Sequence, residues 1–279
     1  MAVVVFWPSP VSSCIFLLFA CLLVATALLE LFRLTAALGY PGYPGLTTTV
    51  TLFLIVAHAA VPTAILISPR AVEPFEIILF VFLLSVGFVR CFSEDDPKCG
   101  VLNLLVSAGA FLYLGWTLSF LVRIYFFGPT AENGPYLFLF IVLTTKANDI
   151  GGYVFGNLTA KAFGGNHKIV PRLSPGKSWE GLAGSVLFSV GAACLMLALL
   201  DERLLVAGAP LFAVSAAVTA GVLIALLGFC GDLSESIIKR AAGAKDAGRI
   251  IPGMGGVLDV VDSLILVSPV FYAYLVMIT

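Results

Sequence analysis

The chain has 279 residues, 60% of them hydrophobic and only 11% charged, where soluble domains carry roughly 25% charged residues. With a mean hydropathy of +1.08, this excludes an ordinary soluble domain and specifies a membrane protein. The formal charge of −1 excludes a generally basic surface gripping phosphates along a duplex, so no nucleic-acid partner is expected. At about 20 residues per crossing, the length has room for roughly eight or nine helices and no sizeable soluble domain beside them.

Taken in chain order, apolar stretches run at 11–32, 47–68, 74–92, 101–124, 135–150, 181–200, 206–230 and 259–278. Each is near the length at which a helix satisfies its own backbone in lipid. The expected fold is all-α, a polytopic integral membrane protein with eight transmembrane helices, or nine if the first ten residues add one. That first segment, with Trp7, Pro8 and Pro10, is too short and too proline-broken to cross alone. A signal remnant, a re-entrant turn and a shortened helix all stay open for it, and no small-residue cleavage site marks it for removal.

The connections at 33–46, 69–73, 93–100, 125–134 and 201–205 are short and punctuated by Gly, Pro and polar residues, as in Gly39-Tyr40-Pro41-Gly42-Tyr43-Pro44-Gly45. Two connections differ. Residues 151–180 and 231–258 are long, Gly-rich and carry both signs of charge. The chain therefore reads as a single membrane domain, 1–279, in which 1–148 is a helical scaffold and 149–279 a catalytic half. The six cysteines lack CxxC spacing and mostly lie inside apolar runs, where Cys packs as a small hydrophobe. Cys91 and Cys99 could pair by position, but their loop falls on the reducing side assigned next.

With eight spans, the odd-numbered loops share one face and hold Arg33, Arg90, Lys98, Lys146, Lys161, Lys168, Arg172, Lys177, Lys239, Arg240, Lys245 and Arg249. The other face holds Arg70, Arg123 and Arg203. The positive-inside bias makes both long loops cytoplasmic and puts both termini outside. A ninth span would reverse the N-terminus only.

The chemistry gathers in the last third. On a helix, Asp232, Glu235, Ser236 and Lys239 fall at i, i+3, i+4 and i+7 and share a face. Asp259 and Asp262, again three apart, open the last helix. An ionised Asp in a spanning segment costs roughly 2.5–3.5 kcal/mol, so these acids require partners or water. An ion-pair network with Lys239, Arg240, Lys245 and Arg249 is one solution. The other is a site in which clustered carboxylates hold a hard cation while Lys and Arg receive phosphate oxygens. Glycines 253, 255 and 256 between the two acidic stripes let backbone N–H groups approach an anion. In the other long loop, Asn148-Asp149-Ile150-Gly151-Gly152-Tyr153 leaves a helix, and Ser174-Pro175-Gly176-Lys177-Ser178-Trp179-Glu180-Gly181 leads into the next. Lys168 and Lys177 read as ordinary loop lysines or as contacts for a triphosphate. Trp179 reads as an interfacial anchor and His167 as a hydrogen-bonding loop residue, since no second His or Cys stands at metal-ligand spacing.

The run Ser236-Ile-Ile-Lys239-Arg240, four residues, Lys245-Asp246-Ala-Gly248, then Ile251-Pro252-Gly253-Met254-Gly255-Gly256-Val-Leu-Asp259 and Asp262 closely resembles the signature of the phosphatidate cytidylyltransferases, or CDP-diacylglycerol synthases. The stretch from Asp149 to Tyr153 with Ser174–Gly181 is similar to a second block of that family, so the likeness covers at least residues 149–265. Met254 stands where the family usually has His, and Val260 where Arg commonly follows the Asp; neither departure removes a carboxylate.

The resemblance implies CTP plus phosphatidic acid giving CDP-diacylglycerol and pyrophosphate. It makes CTP and a bilayer lipid the partners, with a homodimer left open, and Mg²⁺ the cofactor with room for a second cation. The catalytic set it implies is Asp232, Lys239, Asp259 and Asp262. Asp232, Asp259, Asp262 and Glu235 are the expected metal ligands. Ser236, Arg240, Lys245, Lys177, Asp149, Gly255 and Gly256 are the expected substrate contacts. Asp246 beside Lys245 reads as a structural ion pair. The expected location is a bacterial plasma membrane, from the compact, extension-free chain and the family likeness, with the site facing the cytoplasm. A CTP-dependent lipid or polyprenol kinase would need a similar anion site but a hydroxyl acceptor. An ion-coupled transporter would place its acids near the bilayer midplane, whereas these gather at helix ends.

Overall fold

A computed structural model describes residues 10–63, 72–127, 133–200, 204–206, 209–210, 214–253 and 255–278. The segment 1–9, Arg70, Arg203 and Met254, each named above, lie outside the described residues. The helices are α1 (Pro10–Ala37), α2 (Pro44–Thr63), α3 (Val72–Cys91), α4 (Pro97–Tyr125), α5 (Gly134–Phe163), α6 (Trp179–Leu200), α7 (Val214–Ala241) and α8 (Leu258–Ile278). Among the described residues seven are long and apolar enough to cross a membrane, and the apolar part of α2, Pro44–Ala60, is shorter. The chain is thus an all-α integral membrane protein with one helix for each apolar run. A two-residue antiparallel pair, β1 (Leu205–Val206) with β2 (Ala209–Pro210), precedes α7.

The chain divides into two compact units. One holds α1 to α4 with residues 238–261; the other holds α5, α6, α7 as far as Ile237, and α8 from Asp262. In the first unit Val50, Leu54, Leu83 and Phe111 form a buried cluster, and Phe16 of α1 stacks on Tyr125 of α4 with ring centres 3.7 Å apart. Asp96 caps α4 by accepting the Lys98 N–H (2.9 Å), with Pro97 at the first helical position where its missing donor costs nothing. Residues Phe111–Trp116 of α4 widen into a π-helical turn. There Gly115 lies so close to α2 that a Cβ would stand 2.5 Å from Thr51 Oγ1. Three ionisable groups sit together among these apolar helices: Glu76 pairs with Arg123 and also meets His58 Nε2 (3.0 Å) and Trp116 Nε1 (2.9 Å).

In the second unit α5 and α6 pack through small residues. A Cβ on Gly151 would stand 2.6 Å from Phe188 Cβ, and one on Gly152 2.6 Å from Ser185 Oγ. The Ser185 hydroxyl donates to the Asn148 carbonyl at 2.9 Å. Close backbone approach of this kind is how helices associate where lipid removes the hydrophobic drive. Phe140 of α5 stacks on Phe271 of α8 at 5.7 Å. Gly164, at φ 71°, ends α5 in the left-handed conformation that favours glycine, and Ser178 caps α6 by accepting the Gly181 N–H at 3.1 Å.

The long connections are shorter than expected. Helix α5 continues to Phe163 and α7 to Ala241, which leaves 164–178 and 242–257. The apolar run gives out near residue 150, but a helix needs only its internal hydrogen bonds and a neighbour, and Gly151 and Gly152 supply that neighbour by docking on α6. Asp149 to Tyr153 therefore lies within a helix rather than at its exit. The seventh apolar run begins its helix at Val214 rather than 206, after the β1–β2 pair.

Candidate active site

In the second unit α7 carries Asp232 and Glu235 one turn apart, and Asp262 of α8 joins them. One carboxylate oxygen from each lies within 4.8 Å of the other two. The approach depends on Gly231, whose Cα rests against the Asp262 backbone. Glu235 is fully buried and Asp262 is 8% exposed. Lys177 forms an ion pair with Asp232, and its Nζ lies 4.6 Å from the centre of the Phe229 ring. The Ser236 hydroxyl reaches the other Asp232 oxygen at 3.5 Å.

Asp149 on α5 accepts from Lys146 Nζ (2.9 Å), Asn148 Nδ2 (3.2 Å) and the Ser263 hydroxyl (3.1 Å). A cavity of about 290 Å³ opens beside these groups. It is lined by Ser174, Gly176, Lys177 and Ser178 from the connection ahead of α6, by Asn148, Asp149 and Tyr153 of α5, and by Phe229 and Asp232 of α7.

In the first unit Asp259 is bound on every side. Its Oδ1 accepts from Lys239 Nζ at 2.6 Å, and its Oδ2 from the N–H groups of Gly256 (2.6 Å) and Ala247 (2.9 Å). The ion-pair solution read from the sequence is realised for this pair. Gly255, at φ 93°, turns the chain so tightly over the acid that a Cβ would meet Asp259 Oδ2 at 2.6 Å. Arg240 is exposed and donates to the Ala244 carbonyl (3.2 Å), and Lys245 is exposed.

Thus Asp232, Glu235, Asp262, Ser236, Lys177 and Asp149 belong to one unit, and Lys239, Arg240, Lys245, Asp259, Gly255 and Gly256 to the other. His167 has the hydrogen-bonding role expected, pairing through Nδ1 with Glu180 at 2.7 Å, and Trp179 is exposed. Three side chains escape a motif reading: Lys146 and Phe229 in the second unit and, in the first, Glu30 of α1, which accepts the Leu258 N–H at 2.7 Å. For Lys146 and Glu30 the available signal is an ionisable residue inside an apolar run.

The fold and these clusters define a polytopic helical membrane protein whose carboxylates and lysines are of the kind that hold cations and phosphate oxygens. The cytidylyltransferase family profile matches residues 1–278, and the chain belongs to that family. It is similar to the uncharacterized protein YnbB of Escherichia coli K12, 41% identical over 144 residues, which is 52% of this chain and 44% of that protein. It is also similar to a phosphatidate cytidylyltransferase of Mycobacterium bovis, 38% identical over 134 residues, covering 48% of this chain and 39% of that one. A phosphatidate cytidylyltransferase of Staphylococcus epidermidis is 28% identical over 271 residues, 94% of this chain and 90% of that one. The matches to the first two span less than half of those proteins.

Proposed function

We propose that the chain joins CTP to phosphatidic acid, releasing pyrophosphate and leaving CDP-diacylglycerol in the bilayer. The observation that carries this reading is the cluster of Asp232, Glu235 and Asp262, in which Asp232 pairs with Lys177 and lines a cavity with it. The names of the Mycobacterium and Staphylococcus relatives support the choice of reaction.

Three carboxylates with oxygens within 4.8 Å are a hard-oxygen donor set, which suits a divalent cation such as Mg²⁺. When bound, such a cation supplies charge neutralisation at the attacking and leaving oxygens. Asp232, Glu235 and Asp262 hold it. Lys177, freed from Asp232, and the hydroxyls of Ser174 and Ser178 receive the triphosphate. Asp149, steadied by Lys146 and Ser263, contacts the nucleotide. Asp259 was read from the sequence as a further ligand; its two oxygens accept three N–H donors, which supports a role in fixing the Gly-rich turn and Lys239 instead. Lys239, Arg240, Lys245 and the Ser236 hydroxyl bind phosphate oxygens, whereas the amides of Gly255 and Gly256, expected from the sequence as anion donors, are already given to the Ile251 carbonyl and to Asp259.

In the transfer, a phosphatidate oxygen forms a bond to the α-phosphorus as the bond from that phosphorus to the bridging oxygen breaks, and the electron pair leaves with pyrophosphate. The attacking oxygen is already anionic, so positioning and charge stabilisation suffice without a proton shuttle. A site in a bacterial plasma membrane facing the cytoplasm fits a water-soluble nucleotide and a lipid acceptor. The 12 Lys and Arg on one face against three on the other support that orientation.

The test is incubation of purified protein with phosphatidic acid, Mg²⁺ and CTP labelled at the α-phosphate. Label in the lipid with release of pyrophosphate is expected. A parallel incubation with a lipid alcohol and CTP labelled at the γ-phosphate reads the alternative: label in that lipid with release of CDP means a kinase, and the absence of labelled lipid from both incubations refutes both readings.

A further inference from the structure

Glu30 lies in α1, where its only charged companion is Arg33. It is fully buried. Oε2 accepts the N–H of Leu258, the first residue of α8, and so fills one of the donor groups a helix start leaves open, with negative charge at the favourable end of the dipole. Oε1 has no hydrogen-bond partner among the described residues. Facing it are two glycines. A Cβ on Gly256 would stand 2.5 Å from Oε2 and 2.6 Å from Oε1, and the nearest atoms to a Cβ on Gly248 are again those of the Glu30 carboxylate. Neither glycine has a positive φ, so neither is required by backbone conformation. What they provide is room for this side chain.

The same turn is gripped from its other side by Asp259, through the N–H groups of Gly256 and Ala247. Gly256 is therefore held between two carboxylates, its N–H on Asp259 and its Cα on Glu30. We propose that Glu30 is a positioning residue: seated against Gly248 and Gly256 and bound to the start of α8, it sets the turn 247–258 and through it the orientation of the Asp259 carboxylate and Lys239. This rests on the reading of that turn as part of the transfer site. Glu30 touches no reacting group; it acts through the backbone that Asp259 also binds.

The test uses Glu30→Gln, Glu30→Ala, Gly256→Ala and the double variant Gly256→Ala with Glu30→Asp, all in detergent. Amide hydrogen exchange over residues 247–258 gives a readout that does not depend on activity. Glu30→Gln keeps the size and one acceptor and is expected to fold; it should speed exchange in the turn by more than about tenfold while the other helices exchange as in the wild type. The kcat should fall by about tenfold to a hundredfold with KM for CTP within twofold, the signature of a misplaced group rather than lost binding. Gly256→Ala should be as impaired, and shortening the side chain in the double variant should recover part of the rate. Wild-type exchange in the turn of both Glu30 variants overturns the proposal. So does a uniform rise over all helices, or full activity of Gly256→Ala with Glu30 in place. If the wild-type protein makes no CDP-diacylglycerol, the reading of function fails while the exchange measurement still decides the role of Glu30.

Discussion

Replacing Gly231 by Ala tests how the carboxylate cluster is assembled. Helices α7 and α8 touch at this residue: a Cβ would press on the Asp262 carbonyl oxygen, with the Asp262 carbonyl carbon at 3.3 Å and Ser263 Cα at 3.4 Å. All of these atoms are backbone, so no rotamer change relieves the clash. Restoring an ordinary contact of about 3.4 Å means parting the two helices by about 1 Å. The displaced residue, Asp262, is itself a member of the cluster, and Asp232 directly follows the substituted one. Overpacking of this kind costs about 1–3 kcal/mol. The better helix propensity of alanine offsets about 1 kcal/mol of it. A 1 Å misplacement at a transfer site costs about a hundredfold in rate. The expected result is a small drop in thermal stability with a fall in kcat near two orders of magnitude. The assay is the initial rate of α-labelled CTP incorporation at saturating substrates, alongside thermal unfolding in detergent. A kcat within twofold of wild type would refute the argument that Gly231 sets the cluster.

Other expectations follow from individual contacts. Glu235→Gln removes one charge from the buried cluster without changing its shape and should raise the Mg²⁺ concentration for half-maximal rate by about tenfold to a hundredfold; a metal titration of activity measures it. Lys177→Ala should raise KM for CTP far more than KM for phosphatidic acid, because the side chain borders the cavity that Ser174, Gly176 and Ser178 line; equal effects on both substrates would count against a triphosphate contact. Arg123→Ala leaves Glu76 and His58 together among apolar helices and should cost about 3–5 kcal/mol of stability. The kcat of the protein that remains folded should be unchanged, as read by unfolding in detergent and activity per folded molecule.

The run of apolar segments made the eight helices among the described residues legible, because a helix in lipid needs both length and apolar side chains. The reach of α5 to Phe163 was not, since the residues that carry it past the apolar run are glycines chosen for what α6 presents, and hydropathy is blind to that. Within the site, Asp232 and Glu235 could be read as neighbours from their spacing on one helix. Their meeting with Asp262 depends on Gly231, which in a sequence looks like any helical glycine. Asp259 was legible as an acid needing a cation, and Lys239 proves to be that partner. That two backbone amides join it depends on the turn at Gly255, which composition suggests but cannot orient. Glu30 and Lys146 left the plainest unread sign, a charge inside an apolar stretch, where an uncompensated ion costs too much to be incidental.

Asp232 and Asp259 have the same chemistry but different surroundings, and this separates their roles. Asp259 has one ammonium and two amides on its two oxygens, so the protein itself already meets its need for positive charge. Asp232 shares a small volume with Glu235 and Asp262, where like charges repel unless a cation enters, and its Lys177 partner also borders the cavity in which an anionic substrate would compete for it. Neutral, near-isosteric variants should therefore respond differently to metal. Asp232→Asn should weaken metal binding, so raising Mg²⁺ well above the wild-type requirement should restore part of its rate. Asp259→Asn keeps a side-chain oxygen for the amides but loses the charge that holds Lys239, and added Mg²⁺ should leave its defect in kcat unchanged. Metal titrations of the two variants in the same lipid and detergent mixture make the comparison. If Mg²⁺ rescued both alike, Asp259 would be a ligand and its bonds to the turn a resting arrangement; if it rescued neither, the cluster around Asp232 would not be the place where the cation binds.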